Sequence, residues 1–317
     1  MKILFGICFC LISLFADMLS PRISIEAGGN VQSMIIENDT LFVGTSAGTL
    51  EGYKLEDGSA TVKISFDTIK DFMGETIAPK VFSIDKLKSA ETYLAVLQAS
   101  SGARNLVLVE GTHKTELINA SANMFITKAK FLDANTILIA LMSNELIRFD
   151  RKSKKIIYQV QVNPSHFSDF ALNETKTQVA SSCESGEITI TDTLSGKALK
   201  VLSGGNVDNV YKVDFKKELV LGAGQDRRGI IYHLQSGAYE RYDASFLIYA
   251  GALSPTTHLA AFAVNEENDI ALFDTMSQTQ IYTLRGQKST LNTIVFATEK
   301  DIVSGSDDKF IMIWRIP

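Results

Sequence analysis

The chain is poor in cysteine. Only three of its 317 residues are Cys, and two of these, Cys8 and Cys10, lie within the first ten positions. The remainder holds Cys183 alone, so no internal disulfide, CxxC pair or cysteine-rich metal site is expected there. Five prolines and 21 glycines are too few for a collagen-like or linker-like chain. Charge of neither sign dominates: 31 basic and 36 acidic side chains leave a net charge of -5, which argues against general nucleic-acid binding. With 45% hydrophobic residues the chain is also too apolar to be disordered. Beyond the N-terminus no run approaches 18 apolar residues, so no membrane span is expected in the mature chain.

The N-terminus itself differs. Lys2 precedes a weakly polar run from Ile3 to Ala16, the layout of a short basic region and an export-signal core. The run is shorter than the ~20 residues of an ordinary membrane helix. The expectation is a signal peptide over residues 1–20, cleaved after Ala16 or Ser20, and a periplasmic mature chain from residue 21. Removing residues 1–20 takes away Lys2 and Asp17 and leaves the charge balance unchanged.

What the rest contains is a repeat. Short apolar strands separated by polar turns recur, as in LFVGTSAGTLEGYKLEDG from Leu41, ELVLGAGQDRRGIIYHLQSG from Glu218 and KDIVSGSDDKFIMIWRIP from Lys300. The later strand of each such pair ends at Tyr53, Val109, Phe149, Thr191, Tyr232, Phe273 and Trp314, at intervals of 56, 40, 42, 41, 41 and 41 residues. A period near 41 with four short strands is that of a propeller blade. The earlier strand of the pair, rich in small residues such as Val43-Gly44 and Ser304-Gly305, suits an inner position. First strands (VYKVDF near Val213) and fourth strands (KALKVL) are expected to flank the pair as outer strands. The last blade stops after its third strand, and the segment RISIEA (22–27) is expected to supply its fourth and close the ring. The fold class is therefore all-β, a closed seven-bladed propeller over residues 21–317.

The interval of 56 contains an insertion at residues 64–80. Phe66, Ile69, Phe72 and Met73 fall there at roughly helical spacing, so a short helix is one reading and an elongated fourth strand or packed loop is the other. Insertions in repeat folds can serve as binding elements, which makes Phe72 and Met73 candidate partner-binding residues.

In this frame the chain resembles the WD40 family of seven-bladed propellers. The resemblance is clearest where LRGQKSTLNTIVF leads into DIVSGSDDKFIMIWRI. Gln287 stands after Gly286 where the family carries His, Asp307 or Asp308 holds the turn, and Trp314 is followed by Arg315 instead of Asp. Asn206 follows Gly205 in the same His position. The family's buried His–Asp–Ser/Thr–Trp network is thus expected here only in fragments. More narrowly, the signal sequence, propeller, low cysteine content and length are similar to NapL-type accessory proteins of periplasmic nitrate reductase systems. That resemblance implies a role in assembly or support of the reductase.

Motifs of chemistry are scarce. His113, His166, His233 and His258 fall on different blades, with no HExxH or two-His-plus-carboxylate cluster. The single Trp excludes the repeated tryptophan motif of quinoprotein propellers. GAGQDRRG (222–229) opens no helix and so lacks the physical basis of a dinucleotide loop. Its Arg227 and Arg228 could reach a carboxylate or phosphate. The basic run RKSKK offers Arg151, Lys152, Lys154 and Lys155 to an acidic partner. NEEND (265–269) lacks calcium-loop spacing. No catalytic, cofactor-binding or metal residue is expected, and no cofactor. The leading expectation is a monomeric, noncatalytic periplasmic binding or scaffold protein with a protein partner. The alternative is an enzyme or small-ligand protein using the central channel.

Overall fold

The computed structural model describes residues 16–100 and 102–317. Most of the expected signal segment, with Cys8 and Cys10, lies outside the described residues. Seven sheets, each with four antiparallel strands, follow one another among the described residues as blades 1–7, the first built from residues 31–65 and the last from 291–315 plus residues 23–26. The second strands are short and strongly apolar, and Thr136–Leu141 (TILIAL) is buried along its whole length. That pattern fits a sheet covered on both faces by its neighbours, and the β-branched residues suit the pleat. Third-to-fourth strand turns repeat one device. Asp150, Asp192 and Asp274 each accept a 2.7 Å hydrogen bond from the backbone N–H of the serine three residues on. Such side-chain turns end one strand and aim the next.

Among the described residues there is no single core. Seven buried apolar clusters lie one at each blade interface, for example Leu94, Leu106 and Ile118 of blade 2 against Ile126, Phe131 and Ile147 of blade 3. Each blade is therefore stabilised only by its two neighbours, and the chain must close to cover the end faces. It does so through Ile23–Glu26, which pairs antiparallel with Phe310–Arg315 and sets Ile25 opposite Ile311. The expected closing strand is present at the expected place.

Two features depart from expectation. The first strands, placed above as outer strands, are the innermost ones and pack side by side around the axis. Small residues in the second strands reflect close approach by the next blade: a Cβ on Gly44 would lie 2.9 Å from the Val81 side chain. The second departure is a short extra strand, Asp17–Leu19, which runs parallel to Gln280–Leu284 and gives blade 6 a fifth strand. Cleavage after Ser20 would remove this strand, and cleavage after Ala16 would keep it.

The resemblance network is more complete than expected in blade 7. Trp314 Nε1 donates to Ser304 Oγ at 3.0 Å, and Ser304 Oγ donates to Gln287 Oε1 at 3.0 Å. Gln287 Nε2 donates in turn to Ser306 Oγ and to the Phe310 carbonyl, and Ser306 Oγ donates to Asp308 Oδ1 at 2.7 Å. Gln287, Ser304, Ser306 and Trp314 are all buried. An amide carries both a donor and an acceptor, as a neutral imidazole does, so Gln287 completes the chain that a histidine would complete. In blade 5, Asn206 reaches Asp226 Oδ1 at 3.2 Å, while the Tyr232 hydroxyl accepts from the Asn206 N–H at 3.1 Å.

Candidate functional site: the central channel

Strand direction sorts the loops. Each innermost strand begins on one face, here the top, which therefore also carries the second-to-third strand turns. The bottom face carries the first-to-second and third-to-fourth turns. In six blades a bulge interrupts the innermost strand one residue after its start, at 32, 82, 127, 168, 211 and 292. A bulge re-aims the side chains that follow it, and its repetition aligns the blades. Ser33, Ser83, Lys128, Asp169, Lys212 and Thr293 thus share one level of the channel. Two residues on, Ile35, Asp85, Lys130, Ala171, Asp214 and Val295 share the next.

These levels line a cavity of about 680 Å³ on the axis. Its walls are unlike one another. Blades 2–5 contribute lysines and aspartates, whereas blades 7 and 1 contribute Thr293, Val295, Ser33 and Ile35. Six basic side chains against four acidic ones line the cavity, an excess of positive charge in a chain whose net charge is -5.

Most of these charges staple neighbouring blades. Lys128 Nζ lies 2.7 Å from Asp169 Oδ1 and 2.7 Å from the Phe170 carbonyl. Lys130 Nζ donates to the Ile84 carbonyl at 2.9 Å and pairs with Asp85 at 3.4 Å. Asp85 accepts from the Phe131 N–H at 2.8 Å, and Asp214 accepts from the Leu253 N–H at 2.9 Å. Lys216 joins Asp214 at 2.9 Å and also donates to the Leu253 carbonyl. The Lys128–Asp169 and Lys130–Asp85 pairs bridge adjacent innermost strands, and Asp214 and Lys216, on one strand, both bond Leu253 of the next, so these charges are paired and hydrogen-bonded as their desolvation requires.

Burial alone would raise the Asp169 carboxyl, but the charges of Lys128 and Lys212 and its hydrogen bonds hold it below the usual range. A carboxylate depressed in the folded state stabilises the protein above its unfolded pKa, and the gain is lost as pH falls through the folded value. Asp169→Asn is therefore expected to lower stability near neutral pH and to flatten the fall in melting temperature below about pH 4. Melting curves from pH 7 to pH 2 read this directly; parallel curves for the two proteins would contradict it. Burial pushes the Lys130 and Lys212 ammonium groups down.

The sequence-predicted residues are divided between the faces. Arg151, Lys152, Lys154 and Lys155 occupy a bottom turn of blade 3. Arg151 is held there by Glu110 at 3.0 Å and by the Ala134 carbonyl, and Lys154 by the Glu116 carbonyl, whereas Lys152 and Lys155 project outward. Arg227 and Arg228 lie in a top turn of blade 5. Arg228 is tied to the Gly205 carbonyl at 3.1 Å, and Arg227 is exposed. Phe72 and Met73 also lie on the top face. The insertion is a two-stranded hairpin, Ile69–Lys70 with Thr76–Ile77, and no helix forms. Asp71 Oδ1 accepts from the Met73 and Glu75 N–H groups, each at 2.9 Å, and Gly74 takes the left-handed conformation at φ 85°. This fixed turn leaves Phe72 90% and Met73 75% exposed.

The other candidates are structural or dispersed. Cys183 is buried, with Sγ 3.1 Å from Ser185 Oγ. Asp269, of the acidic turn, is buried and gripped by Arg285 at 2.6 Å and Asn265 at 3.0 Å. The four histidines stay on separate blades. Among the described residues no group of three or more His, Cys, Asp or Glu is placed to hold a metal ion, and no helix is long and apolar enough to cross a membrane.

Sequence pattern alone does not mark the channel charges. Lys128, Asp169 and Lys212 recur at the blade period within TKAKF, HFSDF and VYKVD, a signal that becomes visible only once the first strands are placed innermost. Fold and site together define a seven-bladed β-propeller of WD40-like build, a class that is generally noncatalytic and suited to protein–protein contacts. No family model matches the chain, and no curated protein matches it.

Proposed function

We propose that this is an exported, noncatalytic binding protein that docks a periplasmic protein partner on its top face. The observation that carries this reading is the hairpin tip, where a turn fixed by Asp71 presents Phe72 and Met73 to solvent. Phe125, Met142 and Val207, 47%, 41% and 61% exposed, emerge from loops of the same face. Phe125 and Met142 are neighbours, since the Met142 N–H donates to the Phe125 carbonyl at 2.9 Å. Exposed apolar groups gathered on one face of a rigid scaffold are what a partner surface needs, and aromatic and methionine side chains are enriched at such interfaces. The N-terminal basic and apolar layout supports export. Similarity of layout to the NapL-type proteins extends the reading to a nitrate reductase component as the partner.

Affinity capture of the full chain from the periplasm of its native host tests this. The wild type is expected to retain a partner that Phe72→Ser/Met73→Ser loses at least tenfold, while its melting temperature stays unchanged because the tip is exposed. Equal recovery by both proteins would sink the docking reading. A partner other than a reductase component would discard the narrower assignment alone. Sequencing of the purified N-terminus is expected to start at residue 17 or 21; a start at Met1 would overturn export.

A further inference from the structure

The lysines of the channel are not equivalent. Lys128, Lys130 and Lys216 each have a carboxylate within 3.4 Å. Among the described residues Lys212 has neither an ion pair nor a side-chain hydrogen bond, although it is half-buried on the channel wall. It shares its level with Lys128, and Asp169 stands between them one blade from each. Asp169 is already occupied by Lys128 and by the Val213 N–H at 3.3 Å. The two levels, with Lys216, therefore hold one positive charge more than the three aspartates neutralise. A desolvated ammonium without a partner is costly, and an incoming anion would relieve that cost.

The opposite wall has a different chemistry. Ile35 and Val295 face the cavity there beside the small polar groups Ser33 and Thr293. A cavity of about 680 Å³ in which Lys212 lacks a partner and the far wall is apolar has the size and polarity of a small-molecule site. We propose that the central channel binds a small organic carboxylate, its carboxylate on Lys212 and its apolar body against Ile35 and Val295. Asp169 and Asp214 lie close to Lys212 and disfavour the second charge of a phosphate, and the apolar wall favours a carboxylate that carries an apolar body. The ammonium of Lys212 donates to a carboxylate oxygen, a charge-assisted bond that a neutral alcohol cannot replace at equal strength. The site is separate from the top-face apolar surface, and no chemical step is required of it.

Isothermal titration calorimetry of the full chain with acetate, butanoate, hexanoate and octanoate tests this, with 1-octanol and inorganic phosphate as comparison probes. Saturable binding by the longer acids is expected, tightening roughly two- to fourfold per added methylene. Binding by 1-octanol or phosphate is expected to be at least tenfold weaker than by octanoate. Lys212→Met is expected to weaken octanoate binding at least tenfold, with an unchanged or raised melting temperature that separates the effect from misfolding. Lys152→Met, on the exposed bottom turn, should bind as the wild type does. Absence of saturable binding, equal binding by Lys212→Met, or phosphate binding more tightly than every carboxylate would each overturn the proposal.

Discussion

Trp314→Ala is expected to destabilise the protein by about 3–5 kcal/mol, lowering its melting temperature by on the order of 10 °C. Two losses combine in that number. The indole is fully buried in the cluster between blades 6 and 7, beside Ile302, Leu291 and Leu284, so its removal leaves a cavity that the rigid sheets fill poorly. Its Nε1 also anchors the chain of hydrogen bonds through Ser304, Gln287 and Ser306 to Asp308. Trp314→Phe separates the terms, because it keeps most of the volume and loses the donor; a cost of about 1–2 kcal/mol is expected. Gln287→Leu removes the same network from its other end, so its effect should be less than additive with that of Trp314→Phe. Denaturant unfolding of the wild type, Trp314→Phe, Gln287→Leu and the double variant gives the coupling. Simple additivity would show that the network contributes nothing as a unit.

Ile25→Asp is expected to have the other large effect, about 4 kcal/mol or more, by burying a carboxylate where the ring closes. Ile25 is 6% exposed and packs with Ile311, Ile313 and Val31, the cluster that joins blade 7 to blade 1. Losing the closing strand would uncover the edge of Phe310–Arg315 as well as its face. The variant should elute earlier on size exclusion and be cut by protease between residues 20 and 31. Ser24→Asp, on the exposed side of the same strand, should change stability by no more than about 0.5 kcal/mol. A wild-type melting temperature for Ile25→Asp would mean that the ring holds without its closing strand.

The blade number was legible because spacing survives substitution. Tyr53, Tyr232 and Trp314 differ in chemistry but hold equivalent places at the ends of third strands. The closing strand was legible for a similar reason, since blade 7 ended one strand short. The insertion was not. Phe66, Ile69, Phe72 and Met73 match a helical stripe in number, but Phe66 is buried, Ile69 pairs with Ile77 across a hairpin, and the last two point to solvent. A run this short carries no reliable period, and the turn residues Asp71 and Gly74 decide the outcome. The bracing network was legible only in part, because residue identity does not show donor and acceptor capacity, which Gln287 satisfies. The channel depends on strand order: first strands on the outside would bring no side chains together, whereas innermost ones bring Lys128, Asp169 and Lys212 to one level.

The seam also sets a clock. Ile23 pairs with Ile313, about 290 residues later in the chain. At a synthesis rate of about 5–20 residues per second, the first strand waits roughly 15–60 s for its partner to exist. Throughout that interval the half-made array has an uncovered apolar face at each end, and no local rearrangement can hide both. Closure is therefore the last event that folding can complete, and its long loop makes it slow. It is also a test of integrity: a chain cut short before Phe310 has nothing for Ile23–Glu26 to join, and stays open to proteases and chaperones.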